Sequence, residues 1–161
     1  MRILGVDPGL GITGYGVIEC PSGEFKLLEA GVIKSSARQA LTEKLSAIYR
    51  GIREVIREYK PQQLILEQLY SHYKHQMTAI AMAHARGVIA LCAGEFPRLH
   101  LVNYPAKRIK KALTGNGNAS KAQVQRTVQR ILKLKQLPQP VDVSDALGLA
   151  MAHAYIVKAK V

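Results

Sequence analysis

Four carboxylates in this chain have positions that could do chemistry together: Asp7, Glu67, Asp142 and Asp145. Three of them are the only aspartates among the 161 residues. Asp7 closes an apolar run where the chain leaves through Pro8-Gly9, and Glu67 lies near the end of LILEQ, among leucine and isoleucine. A lone carboxylate in such a run costs on the order of several kcal/mol unless a cation or hydrogen-bond donors compensate it. Asp142 and Asp145 are three apart at a predicted helix start, which places them on one face, roughly 5–6 Å apart at Cβ. If the strands ending in Asp7 and Glu67 are neighbours and the last helix crosses them, all four acids converge. Four negative charges in one dry cleft require divalent cations, and hard oxygen donors without a nearby Cys or His pair favour Mg²⁺ or Mn²⁺ over zinc. Two such ions, roughly 3.5–4 Å apart, would activate a water and stabilise the leaving oxygen in phosphodiester hydrolysis. Taken singly, each acid also has an ordinary reading: helix cap or dipole partner for Asp142 and Asp145, turn former for Asp7, structural ion pair for Glu67.

The elements that must position these acids are legible from periodicity. Arg2 to Asp7 reads as a buried strand, and Gly14 to Cys20 and Glu24 to Ile33 as two more, joined by a turn at Pro21-Ser22-Gly23. Leu41, Leu45, Ile48, Ile52, Val55, Ile56 and Tyr59 recur at helical steps, predicting an amphipathic helix that stops before Pro61. Gln62 to Gln68 is a fourth strand, Met77 to Ala93 a second helix whose small residues suit tight packing, and Leu99 to Asn103 a fifth strand. A short basic helix follows Pro105. After the loop TGNGNAS, a capping box at Ser120 to Gln123 opens a helix expected to reach about Lys135. LPQP breaks it, and the last helix starts near Asp142. Three strands in a meander, then single strands alternating with helices, imply an α/β fold with a five-stranded mixed sheet and helices on both faces. Without a repeat, low-complexity tract or Pro/Ser-rich linker, residues 1–161 are expected to form a single domain.

Composition narrows the partners. The apolar (48%) and charged (21%) fractions are those of a globular protein, which argues against a disordered or linker protein, and 6% aromatics with no Trp argue against an antibody-like or lectin-like surface. Lys plus Arg number 23 against 11 acids, a net charge of +12. Residues 1–95 carry 11 basic and 9 acidic side chains, whereas residues 96–141 carry 10 basic and no acidic ones. Concentrated in one segment, the excess implies a dedicated surface for a polyanion. Cys20 and Cys92 are far apart and read as reduced thiols. MRILGVD is too short an apolar run for a signal peptide. The apolar stretch from Ala79 to Phe96 includes His84, Arg86 and Glu95 and is expected to be too short and too charged to span a bilayer. These features predict a soluble cytoplasmic protein with no membrane partner.

ILGVDPGLGITGYGVI, LILEQLY, HARGVI, AKRIKKALTGNGNASKAQV and DVSDALGLAMAHA, in this order, closely resemble the RuvC family of Holliday-junction endodeoxyribonucleases in the RNase H-like superfamily. The resemblance spans nearly the whole chain. It implies an RNase H-like fold and a homodimer that binds four-way junction DNA and nicks two opposed strands symmetrically using Mg²⁺. It also implies work alongside the RuvA–RuvB branch-migration complex in DNA recombination and repair. The family's catalytic acids fall on Asp7, Glu67, Asp142 and Asp145. Its stacking aromatic falls on Tyr70, where Phe is common and where Tyr retains the stacking face. Lys110 and Lys121 match family lysines associated with DNA handling and catalysis.

Other features carry weaker signals. The loop TGNGNAS before a capped helix could present backbone N–H groups to a phosphate, with Lys121 adding charge. Lys107, Arg108, Lys110 and Lys111 alone would describe a solvated face. His72 and His75 form half a metal site with no third ligand near and read as contacts to DNA phosphates. His153, two turns after Asp145, reads as a packing histidine or as a neighbour of the acid site. DPGLGITG is also similar to the phosphate loop of the sugar-kinase and actin fold, but that fold needs two such domains. Two competing functions remain: a non-catalytic junction-binding module, and an RNase H-like enzyme that processes structured RNA.

Overall fold

A computed structural model describes residues 1–21, 24–69 and 76–159. Its sheet has five strands in the order β3-β2-β1-β4-β5: β1 Arg2–Asp7, β2 Ile12–Glu19, β3 Lys26–Lys34, β4 Gln63–Glu67 and β5 His100–Tyr104. The first three form the expected antiparallel meander, and β4 and β5 add in parallel. The Glu24 amide donates to the Pro21 carbonyl at 3.1 Å across the β2–β3 turn, while Ser22 and Gly23 of that predicted turn lie outside the described residues.

Pleating sends alternate side chains to opposite faces. Leu4, Val6, Leu64 and Leu66 bury one way, against α1 (Leu41–Tyr59) and α2 (Gln76–Gly94). Ile3 and Ile65 bury the other way, against α3 (Ala106–Thr114), α4 (Lys121–Ile131) and α5 (Val141–Lys158). By the same alternation Asp7 and Glu67 face the α5 side. They lie two residues beyond Gly5 and Ile65, the last paired positions of β1 and β4. Helices therefore cover both faces, and the acids sit where two neighbouring parallel strands end.

α5 is buried almost without interruption from Val143 to Ala154, so it crosses the sheet as a core helix rather than an amphipathic one. Its approach depends on glycine. A Cβ on Gly5 would overlap the Ala146 main chain, and one on Gly14 would lie 2.8 Å from the Asp142 Cβ and overlap that residue's carbonyl. With hydrogen at both positions, the first turn of α5 rests directly on the ends of β1 and β2.

Two expectations need correction. α4 stops at Ile131, about one turn earlier than its pattern suggests. Lys133 takes a left-handed conformation (φ 53°), and the Leu134 amide folds back to the Gln129 carbonyl at 3.0 Å, closing the end. The stretch judged too short and too charged for a bilayer forms α2, the one helix among the described residues long and apolar enough to cross a membrane. Its Glu95 falls past the helix end, and His84, Arg86 and Cys92 are its only titratable residues. In the fold α2 packs through Ala85, Ile89, Cys92 and Ala93 against α1 and the sheet. Met77, Ile80, His84, Gly87 and Leu91 form an exposed row at helical spacing on its outer side.

Candidate active site

The ends of β1 and β4 and the first turns of α3, α4 and α5 enclose a cleft of about 250 Å³, lined among others by Asp7, Glu67, Asp145, Lys110 and Lys121. Each arrives by a separate local rule. Asp7 and Glu67 come from strand parity, and Asp145 from the helical turn after Pro140. Lys110 lies on α3 beside Ile109, whose burial, with that of Leu113, orients the helix. Lys121 is the first residue of α4. There the Ser120 hydroxyl accepts from the Gln123 amide at 3.2 Å, and Gln123 Oε1 accepts from the Ser120 amide at 2.7 Å. This is the expected capping box, and it fixes Lys121 toward the cleft.

Lys121 Nζ reaches Asp145 Oδ2 at 2.7 Å. That bond, aided by the charge of Asp7 and Asp142 and opposed by partial burial, raises the Lys121 pKa. Asp7 behaves oppositely. Burial first, then the charges of Asp145 and Asp142, push its carboxyl up from 3.8 to about 7, with Lys121 acting downward. Burial and Asp145 also raise Glu67, against Lys110, Lys121 and Arg86. The Glu67 side chain is more open than LILEQ suggests: Leu64 to Leu66 are buried, but Glu67 ends the strand at the cleft mouth. Asp142 stands off the lining and reaches Asp7 only by its charge.

The carboxylates thus gather at one sheet end, but less tightly than full convergence. Among the described residues no three acidic, His or Cys groups close around a single point as one ligand cluster. Like charges at this range repel, and Lys121 draws Asp145 to itself. The donor chemistry nonetheless fits a hard divalent ion: the lining acids offer only oxygen, and Asp7, held up first by burial and then by the charges of Asp145 and Asp142, is a carboxyl that a cation would help to ionise.

The other sequence candidates separate clearly. Tyr70, His72 and His75 lie outside the described residues. Lys107, Arg108 and Lys111 face outward, with the Arg108 guanidinium 5.1 Å from the Tyr104 ring centroid. The TGNGNAS loop is an elbow rather than a phosphate cradle, because most of its amides are used internally. Gly115 N–H donates to the Lys111 carbonyl, Asn116 N–H to Thr114 Oγ1, Asn118 N–H to Asn116 Oδ1 and Ala119 N–H to the Asn116 carbonyl. Gly115, at φ 78°, supplies the left-handed cap that ends α3 and turns the chain into α4. His153 is buried away from the acids; its Nδ1 meets the Tyr104 hydroxyl at 2.9 Å and burial lowers its pKa.

Sequence reasoning missed Arg86. One arm of its guanidinium donates to the Glu67 carbonyl and the other to Asn103 Oδ1 at 2.8 Å. An Arg inside an otherwise apolar helix was the available signal.

Comparison with known proteins places the whole chain in one family. The family model described as crossover junction endodeoxyribonuclease RuvC matches residues 3–153. A crossover junction endodeoxyribonuclease RuvC from Rhodopirellula baltica is 44% identical over 154 residues, 96% of this chain and 86% of that protein. One from Petrotoga mobilis is 43% identical over 153 residues, covering 95% and 93%. The solved structure of Thermus thermophilus RuvC superposes with a TM-score of 0.90 at 29% identity, covering 99% of this chain and 97% of that one. The same protein in complex with a Holliday junction substrate gives 0.91. A yeast mitochondrial Holliday junction resolvase shares the fold at 10% identity and a TM-score of 0.67.

Proposed function

Because this chain belongs to the RuvC family of crossover junction endodeoxyribonucleases, we propose that it resolves Holliday junctions in recombination and repair by nicking two opposed strands. The single observation that carries this reading is the meeting of Asp7, Glu67 and Asp145 from β1, β4 and α5 in one cleft, with the Asp7 carboxyl pushed to about 7. Asp7, Glu67, Asp142 and Asp145 would hold the metal, Mg²⁺ by preference with Mn²⁺ as a substitute. Held by these carboxylates, a pair of such ions would supply an activated water and a counter-charge for the leaving oxygen.

The chain's own groups do the rest. Asp7 and Glu67 resist ionisation and keep a proton to higher pH than ordinary carboxyls, so the cleft binds cations in competition with protons. Lys121 holds Asp145 in place and, with Lys110, offers positive charge to a scissile phosphate entering the cleft. The acid-free segment 96–141 brings further Lys and Arg on α3 and α4 to the same side of the sheet, suiting it to track the backbone of junction arms. Tyr70 would stack on a base near the exchange point.

A four-way junction has two-fold symmetry, and symmetric nicking needs two cleft-bearing copies. We assign the homodimer face to the outer row of α2, where Gly87 leaves room for close helix approach between the apolar Met77, Ile80 and Leu91. Residues 1–161 act as one nuclease domain, in the cytoplasm, alongside a RuvA–RuvB-type complex. The test is nicking of a mobile four-way junction in Mg²⁺, Ca²⁺ and EDTA by the wild type and by Glu67→Gln. The expected result is paired nicks in Mg²⁺ only, with Glu67→Gln binding the junction but not cutting it. Nicking that persists in EDTA, or in Glu67→Gln at the wild-type rate, would overturn the assignment.

A further inference from the structure

The inference concerns how Glu67 is held, and it rests on the nuclease reading above. Pairing between β1 and β4 ends at Gly5–Ile65, two residues short of Glu67. On its other side the strand end is still tied to β5, where the Gln68 amide donates to the Tyr104 carbonyl at 2.8 Å. A strand terminus that among the described residues is paired to a neighbouring strand on one side only frays readily, and the error falls on the carboxylate attached to it. Arg86 comes to this point from the middle of α2. One arm of its guanidinium donates to the main-chain carbonyl of Glu67 itself, and the other to Asn103 Oδ1 at 2.8 Å on β5. The fork therefore bridges the ends of β4 and β5, a geometry that lysine's single ammonium reproduces poorly. Both bonds lie open to solvent, so the clamp depends on the two arms acting together rather than on burial.

We propose that Arg86 is a positioning residue: by clamping the Glu67 carbonyl to Asn103 it fixes the end of β4, and so the Glu67 carboxylate, relative to α2. Misplacing a reacting group by about 1 Å is enough to lower a rate by about 10²-fold, so a clamp distant from the chemistry has a large lever.

The experiment compares Arg86→Gln, Arg86→Lys and Asn103→Ala with the wild-type full chain in three measurements: junction affinity across a salt series, the nicking rate at saturating junction in Mg²⁺, and amide hydrogen exchange. For Arg86→Gln we expect the saturating nicking rate to fall at least tenfold, junction affinity and its salt dependence to stay within about twofold, and the Gln68 amide to exchange at least tenfold faster while Ile65 and Leu66 keep their protection. Arg86→Lys should recover part of both losses and Asn103→Ala should fall between. Unchanged Gln68 protection with a normal nicking rate would overturn the proposal. A weakened junction affinity with a shallower salt slope and an intact saturating rate would also overturn it, making Arg86 a phosphate contact instead. If the wild type itself fails to nick while Arg86→Gln still loses Gln68 protection, the nuclease reading falls and the clamp stands.

Discussion

Replacing Asp7 by Asn should make the metal-free protein more stable, and more so as pH rises. In the unfolded chain Asp7 titrates near 3.8; in the folded cleft, burial and the charges of Asp145 and Asp142 hold it at about 7. Below about pH 4 the carboxyl is protonated in both states and adds nothing to the difference between them. As pH rises from about 4 to about 7 the unfolded chain releases a proton that the folded chain keeps, so stability falls through this window and then levels off. A displacement of about three pH units corresponds to about 4 kcal/mol at about pH 8, and water at the open mouth of the cleft would reduce this to about 2 kcal/mol. Asn matches Asp in shape and lacks the charge, so Asp7→Asn should recover most of that amount. For a chain of this size the gain is about 4–8 °C in Tm at about pH 8 in EDTA, shrinking to near zero at about pH 4. The assay is thermal unfolding of both proteins across that range, in EDTA and then with Mg²⁺, which should raise the wild-type Tm and leave the variant's nearly unmoved. A variant less stable than wild type at every pH, or a gain that does not grow with pH, would refute the claim that the cleft confines excess negative charge.

Other outcomes follow from the same geometry. Lys121→Ala frees Asp145 from its 2.7 Å partner and should lower single-turnover nicking by about 30-fold or more while junction affinity falls less than about threefold; equal losses in both assays would refute the assigned role. Gly14→Ala places a methyl group against the Asp142 main chain, so it should cost about 1–3 kcal/mol in denaturant unfolding and depress nicking well beyond that loss of folded protein. Tyr104→Phe leaves the buried His153 Nδ1 without its hydroxyl partner and should cost about 1–3 kcal/mol in the same measurement, with nicking retained at temperatures where the variant is folded.

The fold was legible because its elements obey one period each. β1 and β4 read as buried runs, α1 as a clean helical stripe, and the Ser120 to Gln123 box marked the start of α4 to the residue. Three of the acids were legible for a related reason: strand parity fixes the face of Asp7 and Glu67, and the helix start after Pro140 brings in Asp145, whereas Asp142, three residues earlier, stands off the cleft lining. What the sequence hid was set by tertiary packing. The end of α4 at Ile131 depends on a left-handed Lys133, a residue type with no particular taste for that conformation. Glu67 looked buried because the three residues before it are; whether the strand continues past it depends on where β1 stops pairing. The glycine loop looked like a phosphate cradle because Gly and Asn suit both roles, and only the internal hydrogen bonds of its amides decide between them. Arg86 stood out as an Arg in an apolar helix, but its partners, a main-chain carbonyl and an Asn on different strands, carry no sequence signal.

The uneven charge of the chain now has a structural meaning. A protein of net charge +12 that also concentrates carboxylates in one cleft faces opposite demands, since an acidic cleft repels phosphate while a basic surface attracts it. Segregation resolves this. The acids enter from β1, β4 and α5, and the segment without acids forms β5, α3 and α4, whose Lys110 and Lys121 reach the cleft rim. A phosphate approaching along α3 and α4 therefore meets lysine before carboxylate, and the repulsion is felt only at the point where bound cations would reverse it. On this reasoning the acids lower junction affinity when metal is absent. At about pH 8, where Asp7 is ionised, Asp7→Asn and Glu67→Gln should each bind a four-way junction in EDTA more tightly than wild type, by about threefold to tenfold at low salt, with the gap narrowing as salt rises or Mg²⁺ is added. Equal affinity of wild type and both variants in EDTA at low salt would show that the cleft's charge is not sensed by the bound DNA, and the path along α3 and α4 would have to be abandoned.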